Sequence, residues 1–564
     1  MNGTYRHYSI VVLCALCLTM LLAGCKKRDE MKLYLQAAEK LWGFQGTVLV
    51  AVDGRVIYAG GYGLADTDFD QPNTPQTKFF IGSITKQFTA AAILRLQDQG
   101  QLFVHNPVSW YLPDYPREAG DKITLHHLLT HTSGVPNYTD VPEVLASRTS
   151  EISQADLLSL FADKPLQFEP GTEFHYSNSG YILLGAIIEE VSGQSYEAYL
   201  HNEILKPAGM FNSGYARREV ALPNRAEGYT LDDRHVLVDA LPIHMSVLHT
   251  AGALYSTVED MLLWDQALYG EDIISAHARE LMFTPYAGSY GYGWFVDTLY
   301  GRPHYHHAGY LDGFNTTFER YVDQKLCVVV FANEDDAPVK KIAHGLAAIA
   351  LEEPFDFPIR REARKVKRER LTDYPGVYQT APDIFRFVYL DNDTLYAQMS
   401  GLPREKLLPM AVDSFFYDND NTKTLSFVRD SEGAVVSQVF YDETRRYRAV
   451  KLSGDEAESQ LAQRREIVLA PEVFDRYTGI YELESQMAVS RWYLVVSRRG
   501  DRFFAQATGF EETEIFPRSH TDFFHRWADF NISFQVDSTG RANECVLRLN
   551  EAEVHGVRVS GDRE

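Results

Sequence analysis

Ser83-Ile84-Thr85-Lys86 sets a hydroxyl and an amine at a spacing that suits nucleophilic catalysis, and it is the only Ser-x-x-Lys in the chain. Residues three apart on a helix share a face, so the amine of Lys86 can reach the hydroxyl of Ser83. The run after it, Gln87 to Leu96, reads as a buried helix. A serine at the first turn of that helix stands where free backbone N–H groups and the helix dipole favour developing negative charge. Hydroxyl, base and anion-stabilising field are the parts of an activated nucleophile.

Two further pairs extend the pattern. Tyr176 and Asn178 flank Ser177 on a loop between the Pro170-Gly171 turn and a new apolar helix starting near Tyr181. His307 and Gly309 flank Ala308 shortly before the apolar strand Leu326 to Phe331. A lysine or tyrosine base must drop by about three pKa units to work near neutrality, roughly 4 kcal/mol of differential interaction. Burial lowers a lysine, and a neighbouring ammonium lowers a tyrosine.

These three motifs, in this order, resemble the serine β-lactamase, penicillin-binding protein and esterase superfamily on its AmpC-like and D-aminopeptidase-like side. His127 to Gly134 and Thr250 to Met261 look like the same family, and the resemblance runs from about Leu35 to about Ala350. It implies an α/β (α+β) catalytic domain, an antiparallel sheet flanked by helices. Ser83 would lie at the start of the buried helix, in the cleft beside an all-helical part. It implies Ser83 as the acylated nucleophile, Lys86 as proton partner and Tyr176 as the base. The N–H groups of Ser83 and Tyr310 would form the oxyanion hole, with Asn178, His307 and Gly309 binding substrate. His307 stands where β-lactamases carry a lysine, and a neutral imidazole cannot hold a substrate carboxylate as a fixed cation does. The expected substrate is an ester, an amide or a D-amino-acid peptide. A β-lactamase or D,D-peptidase acting on penicillins or peptidoglycan is the alternative, and a non-catalytic peptidoglycan- or partner-binding relative is a third reading.

The elements around these motifs divide the chain. Residues 1–24 read as a secretory signal, with an apolar run from Ile10 to Leu22 too short to span a bilayer comfortably. Leu22-Ala23-Gly24-Cys25 resembles a bacterial lipobox, which implies lipidation of Cys25, a short tether over 25–34 and a membrane-anchored protein in the cell envelope. Lysine rather than aspartate follows Cys25, which favours the outer membrane, facing the periplasm or the cell surface. The hydrolase domain is expected over 35–355 and a basic linker over 356–370. Two β-barrel-like repeats are expected over 371–465 and 471–560. Leu371 to Tyr378 matches Phe474 to Tyr481, and Leu395 to Gly401 matches Phe503 to Gly509. Period-two patterning broken by Asp, Asn and Gly reads as small antiparallel barrels or sandwiches.

Composition sets outer bounds. The 564 residues exceed one compact domain, and 45% hydrophobic with 13% aromatic content is globular. A net charge of −23 argues against nucleic acid as partner. Cys327 and Cys545 read as buried small apolar residues. His127 with His131, and His304 with His306 and His307, sit inside family-like segments and read as structural or active-site histidines, with no metal and no cofactor expected.

Overall fold

An unbroken apolar run such as Leu326–Ala332 must be covered on both faces, and the computed structural model buries every residue of it. The structure describes residues 26–559 except 141–147, 218–221, 233–235, 359–360, 382–383, 401, 403, 419–422, 443–444, 463–466, 468, 484–491, 508–511, 526–529, 538–539 and 550–551. The chain divides at Pro358 into two units.

The first unit is built on a six-stranded antiparallel sheet. Its strands are β1 (Gly46–Val52), β2 (Arg55–Tyr62), β3 (Phe295–Leu299), β4 (Arg302–Leu311), β5 (Phe314–Tyr321) and β6 (Leu326–Ala332), in the order β3-β4-β5-β6-β1-β2. Side chains alternate across the pleat. Val48, Val50, Val328 and Val330 face a layer formed by α1 (26–42) and α6 (Val339–Leu351). Leu49, Ala51, Cys327, Val329 and Phe331 face the larger helical core. That core contains α2 (Thr85–Asp98), α3 (Asn178–Ser192), α4 (Met245–Gly252) and α5 (Val258–Ala267). The mixed fold expected from the sequence is the fold observed.

Two expectations at the edges are corrected. Residues 26–34 are no loose tether: they are the first turns of α1, with Met31, Tyr34 and Leu35 buried against the sheet. Lys27 is held by the Ala350 carbonyl at 2.9 Å and Glu352 at 2.8 Å. The basic segment is not a free linker to its end either. The Arg364 amide donates to the Pro409 carbonyl at 2.7 Å, and Val366 packs on the core of the first barrel.

The second unit holds two closed eight-stranded antiparallel barrels, spanning Gly376–Ala381 to Arg445–Lys451 and Gly479–Leu483 to Ala552–Arg558. The internal repeat has a common hydrogen bond. Tyr378 Oη donates to the Tyr374 carbonyl at 2.6 Å, and Tyr481 Oη to the Tyr477 carbonyl at 2.7 Å. Among the described residues Cys327 and Cys545 form no disulfide, and both are buried. Among the described residues no helix is long and apolar enough to cross a membrane.

Close packing of α3 on α4 fixes where the Thr250–Ala251 backbone lies. A Cβ on Gly185 would stand 2.3 Å from Thr250 Cγ2. Gly185→Ala should therefore destabilise the first unit by about 1–3 kcal/mol through overpacking, although alanine is worth about 1 kcal/mol more than glycine inside a helix. Denaturant unfolding followed through tryptophan fluorescence checks this; a gain in midpoint would mean that the helices separate freely.

Candidate active site

Ser83 sits in a 3₁₀ turn (Gly82–Ile84) that runs straight into α2, and it is partly exposed. The turn is pinned from below. A Cβ on Gly309 of β4 would stand 1.9 Å from the Ile81 carbonyl oxygen, so only glycine lets the strand come this close. A Cβ on Gly82 (φ +52°) would stand 2.9 Å from the Tyr310 amide nitrogen. The Tyr310 amide therefore abuts the turn that presents Ser83, while its side chain is exposed.

Lys86 lies one turn on and is fully buried. Its Nζ is 3.0 Å from Ser83 Oγ, 2.8 Å from Asn178 Oδ1 and 2.9 Å from the Ala251 carbonyl. Burial holds its pKa well below the usual lysine range. A neutral amine has two N–H donors and one lone pair. Two neighbours, Asn178 Oδ1 and the Ala251 carbonyl, can only accept, so the lone pair is left facing Ser83 Oγ, whose hydroxyl can donate.

The Ala251 carbonyl reaches Lys86 because α4 is kinked. His249 has φ 35° and ψ −127°, a strained conformation for a non-glycine residue. Its ring is held at both nitrogens, 3.0 Å from Tyr215 Oη and 3.1 Å from Gln154 Nε2. Beyond the kink, Thr250 Oγ1 donates to the Tyr181 carbonyl, and the Thr250 carbonyl accepts from Thr89 Oγ1 of α2, both at 2.7 Å. Asn178 opens α3. Its amide donates to Asn137 Oδ1 at 3.0 Å and its Nδ2 to Thr139 Oγ1 at 3.2 Å.

Tyr176 is the third member. Lys86 Nζ lies 4.9 Å from the centre of its ring. Burial pushes the phenol above its usual range, against the opposing pull of its hydrogen bond with Ser83. His131 lies on the other side, its ring centre 4.1 Å from that of Tyr176. Tyr290, Tyr181 and Phe174 enclose the same imidazole. His131 Nδ1 accepts the Ser177 amide at 3.1 Å, which places the ring proton on Nε2 when the ring is neutral. Burial, then the nearby Lys86 and His307, hold the ring well below its usual pKa. Among the described residues Nε2 is buried without a hydrogen-bond partner, which costs about 1–3 kcal/mol and has to be offset by the aromatic enclosure.

His307 is placed differently from the expectation that it binds substrate. It is buried; its Nδ1 donates to the Ala308 carbonyl at 2.6 Å and its Nε2 accepts from Tyr290 Oη at 2.9 Å. Burial first, with Lys86 adding, keeps its pKa down at about 3. A neutral ring with both nitrogens engaged orients Tyr290 and carries no charge to set against a substrate carboxylate. Gly309 likewise serves the close approach of strand to turn.

The structure thus gathers Ser83, Lys86, Tyr176, Asn178, Gly309 and the Tyr310 amide at one place. Sequence reasoning missed Asn137, Thr139, Tyr290, the Ala251 carbonyl and the seat of His131. A cavity of about 910 Å³ lies beside this group, bordered by Phe80 just before the nucleophile turn and by Leu311 and Asp312 just after Tyr310. Ser83 itself does not line it. Cys25 lies outside the described residues.

Residues 36–352 match the Beta-lactamase family, and residues 463–559 match a domain of unknown function, DUF3471, which covers the second barrel. The chain is 29% identical to penicillin-binding protein 4* of Bacillus subtilis over 416 residues, 69% of this chain and 91% of that protein. It is 35% identical to the putative penicillin-binding protein PbpX of the same organism over 292 residues, 52% of this chain and 71% of that one. A D-stereospecific amidohydrolase from Streptomyces superposes with a TM-score of 0.50 at 25% identity, over 57% of this chain and 99% of that one.

The seat of His131 gives a test. Its φ of +56° suits asparagine, so His131→Asn should fold while losing the ring against Tyr176. His131→Phe keeps a ring and loses the acceptor for the Ser177 amide. Each should lower kcat on an activated ester about ten- to a hundredfold through misplacement of Tyr176, with KM little changed. Steady-state kinetics alongside circular-dichroism melting checks it, and wild-type kcat in both variants would remove His131 from the site.

Proposed function

The chain belongs to the β-lactamase family, and from that membership we propose that it is a serine hydrolase working through an acyl-enzyme on Ser83. The observation that carries this is the buried Lys86 amine, 3.0 Å from Ser83 Oγ with its other two neighbours acceptor-only. Neutral Lys86 takes the Ser83 hydroxyl proton as Oγ attacks the substrate carbonyl carbon. The oxyanion that forms is held by the N–H groups of Ser83 and Tyr310, each such donor being worth about 2.7–4 kcal/mol. The proton passes through Tyr176 to the leaving group, and the acyl-enzyme is then hydrolysed by water with the proton returning along the same path.

This assigns the base differently from the sequence expectation, in which Tyr176 was the base. A phenolate at Tyr176 needs a cation beside it. Burial disfavours the charge on Lys86 and at the same time disfavours the charge on Tyr176. Tyr176 therefore acts as a protonated relay.

The substrate proposed is an ester, an amide or a D-amino-acid peptide, with peptidoglycan fragments as one source. The neutral, fully engaged His307 supports it, since the site has no fixed cation there for the carboxylate of a penicillin. The name of the Streptomyces amidohydrolase is in keeping with a D-configured substrate. Penicillin or D,D-peptide turnover is the second reading, favoured by the two Bacillus penicillin-binding relatives. A lipid anchor on Cys25 in the cell envelope, in the outer membrane, is proposed from the apolar run and the Leu22-Ala23-Gly24-Cys25 ending.

Turnover of D-amino-acid amides, short esters and penicillins by wild type, Ser83→Ala and Tyr176→Phe tests the proposal. Ser83→Ala should abolish hydrolysis with little loss of stability, and Tyr176→Phe should slow acylation about 10²–10⁴-fold. Unchanged activity in Ser83→Ala would sink the mechanism. A stable penicillin adduct by intact mass would move the substrate to the second reading.

A further inference from the structure

A second cluster of chemically active side chains lies on the other face of the sheet, behind the strand that carries His307 and Tyr310. Asp297 of β3 pairs directly with His304 of β4, and His306 follows on the same strand face. The two imidazoles stack with ring centres 4.4 Å apart. His304 Nδ1 is 2.9 Å from Asp297 Oδ1, and His306 Nε2 is 3.1 Å from Asp297 Oδ2. One ligand atom from each residue falls within 4.8 Å of the other two. A tetrahedral ion with bonds of about 2.0–2.1 Å holds its ligand atoms about 3.3 Å apart, so the cluster is close to the size such an ion needs.

The surroundings add a second observation. His304 Nε2 is 3.2 Å from Glu319 Oε2, a buried carboxylate on β5. Glu319 also accepts from Tyr321 Oη at 3.3 Å and lies 3.5 Å from His344 Nε2 of α6. A metal-bound histidine characteristically gives its other ring N–H to a carboxylate, which fixes the tautomer and aims the free nitrogen at the ion. Glu319 takes Nε2 of His304 and leaves Nδ1 for the site. Asp297 is half exposed, which supplies an entry path and room for water.

We propose that Asp297, His304 and His306 bind a divalent ion of the zinc class, with Glu319 as the carboxylate behind His304 and water in the remaining position. Two imidazoles and one carboxylate suit such an ion. In the sequence His304, His306 and His307 lie inside a family-like segment and read as structural or active-site histidines, with no metal expected. The structure separates them, since His307 turns to the opposite face and meets Tyr290. The ion would clamp β3, the edge strand, to β4, which carries Gly309 and Tyr310 further along.

The test uses the full chain, purified without a histidine tag and stripped with EDTA. Equilibrium dialysis against Zn²⁺, with bound metal counted per chain, reads affinity, and Co²⁺ absorption reads geometry. Wild type should hold one Zn²⁺ and raise its melting temperature. Asp297→Asn and His306→Gln, at partly exposed side chains, should each weaken binding at least about tenfold, and Glu319→Gln about 10–100-fold. Labelling of Ser83 by a fluorophosphonate reports whether each variant is folded. No retained Zn²⁺ in wild type, or equal retention in Asp297→Asn/His306→Gln, would overturn the proposal and leave the cluster as a proton-sharing network. Neither outcome bears on the reaction at Ser83.

Discussion

A lysine with no exposed surface, placed one helical turn from a serine, is the constraint around which the first unit is arranged. Burying an ammonium without a counter-charge is far more costly than burying an amine, so the fold itself prepares the base. The requirement extends along α2. Thr85, Gln87 and Thr89 are buried polar residues on a buried helix, and each needs a partner. Thr85 Oγ1 accepts the Leu254 amide, Gln87 Oε1 accepts Trp264 Nε1, and Thr89 Oγ1 donates to the Thr250 carbonyl. Residues 250–264 thereby latch onto the helix that carries the nucleophile.

The same latch explains the backbone strain. A strained residue such as His249 stands about 1–3 kcal/mol above a relaxed one and persists only where its surroundings over-determine it. Here the two bonded ring nitrogens, the Gly185 contact and the two threonine hydrogen bonds do so. What the strain achieves is the direction of one carbonyl, that of Ala251, toward Lys86. With Asn178 it leaves the amine's lone pair facing Ser83. Histidine at 307 completes this electrostatic setting. A lysine there would add a positive charge to a site whose electrostatics depend on neutral groups.

Much of this was legible in the chain because it depends on short spacings. Ser83 with Lys86, and Tyr176 with Asn178, each lie within one turn or one loop, and residue type states the chemistry. The mixed fold followed from the motif resemblance. Illegible were contacts set by tertiary packing between distant segments: His131 against Tyr176, Tyr290 against His307, Ala251 against Lys86. Gly309 read as a substrate contact because the approach of β4 to Ile81 exists only in three dimensions. In the barrels the repeat was visible, but period-two patterning alone does not separate a closed barrel from a sandwich. The first helix carried a signal that the lipobox reading overrode. Met31, Tyr34, Leu35, Ala38 and Trp42 recur at helical spacing and mark a face that packs on the sheet.

The central claim is that burial makes Lys86 a neutral base poised against Ser83. The rate of fluorophosphonate labelling at Ser83, followed by intact mass across pH in wild type and Lys86→Met, tests it most directly. The account predicts labelling of wild type at neutral pH, with the rate falling only on an acid limb well below the ordinary lysine pKa of about 10.4, and essentially none in Lys86→Met. Labelling that begins only as pH approaches the ordinary lysine range, or that proceeds equally in Lys86→Met, would contradict it.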